Sequence, residues 1–152
     1  MTIRRATLAD VPAMLVEMKA FNAHERIPWT ARRGGPALRR LIGDGDLGVV
    51  LVATRGRPAT LAGYALVTWG FDLEWNGRDA MLTELWVSPS ARGAGVGGAL
   101  LAAAQVAAKR GGAAAMHLMV RHGNRSARAL YDRAGFVAPG RLLLTRPLRG
   151  RR

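Results

Sequence analysis

Val11, Met14, Leu15, Met18 and Phe21 recur at the spacing of one helix face, which predicts a first helix over about residues 8–24. Thr7-Leu-Ala-Asp10 ahead of it has the form of a capping box, and Pro12 falls in the first turn, where proline is tolerated. The stretch 24–30 (HERIPWT) breaks the period. Leu38, Leu41 and Ile42 then mark the apolar face of a second helix over 30–43, closed by the turn Asp44-Gly45-Asp46. Strand patterns occupy 2–6, 47–54 (LGVVLVAT), 60–71 (TLAGYALVTWGF) and 79–88. Arg55-Gly56-Arg57-Pro58 and the hairpin signal Asn76-Gly77 join the last three into an antiparallel meander.

The helical period returns over 94–110, with Val96, Ala99, Leu100, Ala103, Val106 and Ala107 on one face and Gly111-Gly112 as the stop. A buried strand over 114–120 (AAMHLMV) follows. A last helix spans 124–134, with Ala127, Leu130, Tyr131 and Ala134 on one face, and Gly135 ends it. Residues 136–138 and 141–146 are expected as closing strands around Pro139-Gly140. The order β-α-α-β-β-β-α-β-α-β-β is a mixed α/β fold around a mostly antiparallel sheet. No repeat or linker interrupts it, so residues 1–152 are expected to form one domain with a basic tail from about 147.

Composition narrows the function. Cysteine is absent, so there is no disulfide, Cys nucleophile or Cys metal site. His24, His117 and His122 share no motif that would bring them to one metal. No apolar run is as long as a membrane span, and MTIRRATLAD is not a secretory leader, so a cytoplasmic protein is the expectation. The net charge of +13 raises nucleic-acid binding as a rival class. Yet the basic residues, all Arg but for Lys19 and Lys109, are spread along the chain without interleaved aromatics. Nucleic acid is therefore not the expected partner, although the charge suits a polyanionic ligand.

Residues 81–101 (MLTELWVSPSARGAGVGGALL) read as a strand, a basic Gly-rich turn and a helix start. Such a turn can hold phosphate: glycines let the backbone approach, a helix start offers free N–H groups, and Arg92 adds charge. Gly93-Ala94-Gly95-Val96-Gly97-Gly98 also matches a dinucleotide fingerprint. That pattern wants an acid about 20 residues on, at the end of the next strand, and residues 111–120 contain none. The Gly-Lys-Ser/Thr of a nucleotide phosphate loop is absent as well. A flexible loop with no ligand is the remaining alternative.

Arg92-x-x-Gly95-x-Gly97, directly after a strand ending Leu85-Trp86-Val87-Ser88-Pro89, resembles the acyl-CoA-binding motif of the GNAT acetyltransferase superfamily. Asn124, Ala129-Leu130-Tyr131 and Gly135-Phe136 resemble that family's next motif, and the order of elements agrees over essentially the whole chain. Residues 115–120 with Asn124, and Thr83-Glu84 before them, look like the diamine and thialysine acetyltransferase branch.

The resemblance implies transfer of an acetyl group from acetyl-CoA to an amine in a ternary complex, without a metal. An alkylammonium is only about 0.04 % neutral at pH 7, so its proton must be taken. By the resemblance, the backbone of Leu85, Trp86 and Val87 pairs with the pantetheine arm and polarises the thioester carbonyl. The N–H groups of Arg92, Gly93, Ala94, Gly95, Val96, Gly97 and Gly98 hold the pyrophosphate. Asn124 binds the pantetheine or a water, and Tyr131 is the acid for the leaving thiolate.

Glu84 is the candidate base, a carboxylate amid Met81, Leu82, Leu85, Trp86 and Val87. Strand alternation puts Glu84 and Trp86 on one face. Each residue also has a structural reading: Tyr131 as a packed core residue, Glu84 as a solvated or Arg-paired acid, Asn124 as a helix cap.

For the acceptor, the resemblance implies a wall from the first two helices and their connection, here Phe21 to Arg33 with His24, Glu25 and Trp29. The hairpin at 69–79, with Trp69, Asp72 and Glu74, is expected to face the same region, so that aromatic walls carry carboxylates. These suit a cationic small di- or polyamine, or a basic amino acid. An ordinary hairpin with a polar tip is the alternative. Protein N-termini or lysines come next as acceptors, then aminoglycoside-like amines. A homodimer is implied by the resemblance alone.

Overall fold

Val49 to Ala53 are buried without a break, as befits a strand covered on both faces. This strand, β2 (Gly48–Arg55), lies inside a five-stranded sheet of order β1-β2-β3-β4-β5. Its partners are β1 (Thr2–Arg5), β3 (Thr60–Asp72), β4 (Gly77–Val87) and the short β5 (Met116–Leu118). The pairs are antiparallel as far as β4, and β4–β5 is parallel. The computed structural model of the chain describes residues 1–148; Arg149, Arg151 and Arg152 of the expected tail lie outside them. The described chain divides into two compact units, Met1–Met119 and the residues from Val120 onward.

One face of the sheet carries α1 (Val11–Glu25) and α2 (Ala31–Gly43). Here Val11, Met14, Met18 and Leu38 pack with Val50, Val52, Tyr64, Leu66 and Trp86. Val49, Leu51 and Ala53 alternate to the other face, which α3 (Val96–Arg110) covers with Val96, Leu100, Leu101, Ala104 and Ala108 buried. The expected helix face was rotated by about one position: Val106 is half exposed, and the stripe runs instead through Leu101, Ala104 and Ala108. Alanine is small enough to sit on either side, so the alanine-rich run from 99 to 108 does not define its own inner face. The first turn forms as read: the Asp10 carboxylate accepts from the Thr7 N–H (2.7 Å) and hydroxyl (3.0 Å), and pairs with both terminal nitrogens of Arg4 at 2.7 Å.

Two features of the strands were not expected. Leu66 pairs with Glu84 but Val67 pairs with Leu82, so Thr83 is a bulge residue, its hydroxyl donating to the Leu66 carbonyl at 3.2 Å. And β5 is three residues long and only half-buried, pairing just Ala80–Leu82 of β4. In the second unit, Arg125–Arg133 form α4 as expected. The two closing strands over 136–138 and 141–146 are absent among the described residues, where these segments have no ladder partner and Val137, Leu142, Leu143 and Leu144 are exposed. Apolar composition gave the strand expectation, but a strand needs an edge to pair with.

Candidate active site

The unequal lengths of β4 and β5 open one edge of the sheet. β3 pairs β4 along its whole length, from Asp72↔Gly77 to Gly63↔Val87. β5 covers the other edge only as far as Leu82. From Thr83 to Val87 that edge has no strand partner among the described residues, so its N–H and C=O groups can pair with an extended ligand. Leu85, Trp86 and Val87 lie on this stretch.

The edge leads into the glycine turn. After a 3₁₀ turn at Pro89–Ala91, Gly93 and Gly95 adopt φ of +76° and +75°, the left-handed region that glycine enters without a Cβ penalty. Nothing lies within 4 Å of where a side chain on either would stand, so the turn faces open space. Gly95 precedes the first residue of α3, and the N–H groups of Val96, Gly97 and Gly98 have no acceptor within the helix. These are free donors at a positive helix end, whereas the Arg92 N–H, expected among them, donates instead to the Pro89 carbonyl at 3.4 Å. Arg92 itself folds back: its Nε donates to the Val87 carbonyl at 3.3 Å and its guanidinium lies 4.9 Å from the Trp86 ring centroid.

Beyond the bulge, Glu84 and Trp86 do share a face, the one toward α1. Tyr64, wholly buried on β3, donates from its hydroxyl to Glu84 Oε2 at 2.8 Å. Burial holds the Glu84 carboxyl up at about 7, with the Tyr64 hydrogen bond pulling the other way. The Tyr64 hydroxyl is itself driven well above the phenol range by burial, then by the charges of Glu84 and Glu17. Glu17, on α1, accepts from the Trp86 indole N–H at 2.6 Å. Phe21 and His24, on the same helix face, lie 6.0 and 5.9 Å from the Trp86 ring centroid. Among the described residues no Arg, Lys or His stands within 4.0 Å of either carboxylate, in a chain with 23 Lys and Arg. The Arg-paired alternative for Glu84 is thereby removed.

Tyr64 and Glu17 were not singled out from the sequence as site residues, whereas Phe21 begins the expected acceptor wall. Tyr64 sits in a strand pattern, an ordinary core signal. The one signal available was Glu17, an acid between the apolar positions Met14 and Met18.

The other expected residues divide. Trp29 packs against the cluster that holds Tyr64 and Trp86, its indole lying where a side chain on Gly34 would stand. The hairpin is elsewhere. Trp69 faces the α3 side, against Gly111, and its indole N–H donates to the Gly45 carbonyl at 2.8 Å. Asp72 is six residues along β3 from Leu66, the partner of Glu84, or about 20 Å away. Its carboxylate accepts from the Glu74 N–H and so caps the 3₁₀ turn Leu73–Trp75. The structure therefore does not bring Trp69, Asp72 or Glu74 to Glu84.

In the second unit Asn124 caps α4, its Oδ1 accepting from the Ala127 N–H at 3.2 Å. Tyr131 is half-buried there, in edge-on contact with Phe136 at 5.9 Å. No group of three or more His, Asp or Glu suited to a metal occurs among the described residues.

An opened strand edge running into a glycine turn with free helix N–H groups, beside a buried carboxylate, is the form expected of an acyl-CoA-dependent transferase. Comparison with known proteins agrees. Residues 17–136 match the acetyltransferase (GNAT) family, and the chain belongs to that family. It is 30% identical over 138 residues to the uncharacterized N-acetyltransferase YhfO of Bacillus subtilis (strain 168), covering 90% of this chain and 89% of that protein. An integron cassette protein from the Cole Harbour salt marsh metagenome superposes with a TM-score of 0.85 at 28% identity, over 97% of this chain and 90% of its own. A protein of Arthrobacter sp. FB24, provisionally named an acetyltransferase, gives 0.79 at 30% identity over 97% and 96%. The chain is thus an acetyltransferase of the GNAT type, a family that uses acetyl-CoA. No helix among the described residues is long and apolar enough to cross a membrane.

Proposed function

We propose that this single domain transfers the acetyl group of acetyl-CoA directly to a small cationic amine, a di- or polyamine or a basic amino acid, within a ternary complex. The observation that carries the reading is the pair of carboxylates, Glu84 and Glu17, flanking Tyr64 and Trp86 without a basic partner. A chain this rich in arginine could have neutralised them. Carboxylates beside aromatic rings are instead suited to an ammonium ligand. This keeps Phe21, His24 and Trp29 as the acceptor wall, adds Glu17 to it and leaves the hairpin out, and it keeps the likeness to the diamine acetyltransferase branch as a proposal about the acceptor.

In this mechanism Glu84 takes one proton from the ammonium, directly or through water. The freed nitrogen attacks the thioester carbonyl carbon, and a backbone N–H of the Leu85–Val87 edge stabilises the oxyanion. The C–S bond then breaks as the attacking nitrogen gives up its second proton to solvent. Tyr131 of the second unit gives its proton to the thiolate and regains one from solvent, and Glu84 returns its own to solvent. The sum is amide, free thiol and one released proton. The turn from Arg92 to Gly98 holds the pyrophosphate, and Asn124 adds a hydrogen bond to the pantetheine beside its capping role.

Thiol release across a panel of diamines, polyamines, basic amino acids, peptide N-termini and aminoglycosides tests the acceptor. Turnover is expected on the first three. Turnover confined to peptides or aminoglycosides would refute it.

A further inference from the structure

We infer that Tyr64 is a positioning residue for Glu84: its hydroxyl fixes one carboxylate oxygen and leaves the other free for the incoming amine. The inference rests on the reading of Glu84 as the base. Tyr64 pairs with Trp86 across the ladder, and Glu84 pairs with Leu66, so Tyr64 and Glu84 are diagonal neighbours on one face. Tyr64 is 0% exposed, held by the core packing of α1, and its oxygen meets Glu84 Oε2 at 2.8 Å. The ring therefore cannot swing away, and burial keeps the phenol protonated, so it acts in this bond as a donor.

The choice of donor has a chemical consequence. Asp10 is oriented by Arg4, through two contacts of 2.7 Å, and its carboxyl is held far below the ordinary carboxylate range. Such a carboxylate is oriented but too weak a base. A neutral phenol orients Glu84 while leaving its proton affinity high. The charged or titratable groups around the pair are few: Glu17 and His24 on α1, which reach it through Trp86, and Arg92 over the Trp86 ring. Leu38 is what α2 adds to this buried cluster.

The test is the Tyr64→Phe variant, which removes one oxygen and keeps the ring. Its first readout is the titration midpoint of the Glu84 carboxyl in the ligand-free protein, by carbon-13 NMR, assigned with Glu84→Gln. Loss of a donor to the charged form should raise that midpoint by about one pH unit. The acidic limb of kcat/KM should follow it, with an about fivefold loss at pH 7 that is largely recovered above pH 8.5, and an unchanged KM for acetyl-CoA. In a Glu84→Gln background the Tyr64→Phe effect on rate should vanish.

An opposite perturbation guards against a folding artefact. Tyr64 and Tyr131 are the chain's two tyrosines, so 3-fluorotyrosine in a Tyr131→Phe background labels residue 64 alone. As the stronger donor it should lower the midpoint. A midpoint that moves in neither protein overturns the inference. So does a rate loss that persists in the Glu84→Gln background. A midpoint that moves while the rate limb stays put leaves Tyr64's hold on Glu84 standing and removes Glu84 as the base.

Discussion

Glu84→Gln separates what the site does from what it costs. Gln keeps the shape of the side chain and removes the charge. General-base contributions run to about 10²–10⁴-fold, so kcat/KM should fall by at least about a hundredfold at pH 8. Stability should move the other way. In the folded protein the Glu84 carboxyl is held at about 7, against an ordinary value of 4.5, because burial penalises the anion. A folded-state value above the unfolded one means that the folded state binds the proton more tightly. Wild-type stability should therefore fall as pH rises from about 4.5 to about 7 and stay lower above that.

The gap corresponds to roughly 3 kcal/mol at one pH unit per 1.36 kcal/mol. Loss of the charge-assisted bond from Tyr64 offsets part of it in the variant, leaving about 1–2 kcal/mol. At about 2–4 °C per kcal/mol for a chain of this size, the variant should melt roughly 2–8 °C higher at pH 8 and about the same at pH 5. Melting curves of both proteins at these two pH values are the assay. An equal difference at both would show that the carboxyl does not titrate in this window, and a fully active variant would remove it as the base.

Gly95→Glu should abolish acetyl-CoA binding by setting an anion in the donor cradle, whereas Gly95→Ala, bearing only the strain of φ +75°, should retain most of it; thermal-shift titration with acetyl-CoA compares the two. Equal affinities of Gly95→Glu and wild type would place the phosphates elsewhere. Tyr131→Phe should lower kcat by at least about tenfold with acetyl-CoA affinity kept, and full activity would return Tyr131 to a packing role alone. Asp10→Asn should cost about 1 kcal/mol by loosening the Arg4 pair and the first turn. Because Arg4 holds the Asp10 carboxyl below its ordinary range, this contribution is present above about pH 4 and disappears as pH falls, which chemical denaturation at pH 7 and pH 3 would read.

Periodicity carried the fold where side chains differ sharply in character. The unbroken apolar run 47–54, the capping box and the Asn76-Gly77 turn each marked their element to within a residue or two. It failed where composition is uniform, as on the inner face of α3, and where strand formation depends on a partner, as after α4. In the proposed site, the glycine turn and Glu84 stand out in the sequence because each breaks its local pattern. Tyr64 does not, because a tyrosine in a strand pattern looks like core until its hydroxyl's partner is known. The hairpin misled for the opposite reason: Trp69 and Asp72 have the composition of a ligand wall, but their polar atoms are used by Gly45 and the Leu73–Trp75 turn.

The bulge at Thr83 is what makes a site of this strand. With strict alternation Leu82, Glu84 and Trp86 would share one face, since all three are even-numbered positions of one run. On the α3 face, where Leu82 packs, Glu84 would turn toward the apolar layer under α3 and away from the Tyr64 hydroxyl. One extra residue moves everything after it to the other face, so Leu82 fills the α3 core while Glu84 and Trp86 turn to Tyr64 and α1. The same position is where β5 stops pairing, at Leu82. A ladder that ends one residue before a bulge leaves β4 free on one edge and bearing an acid on the adjoining face. The proposed mechanism, backbone donors for a thioester beside a base for an amine, draws on both irregularities, and neither is visible in hydrophobic patterning because each is a property of pairing between strands.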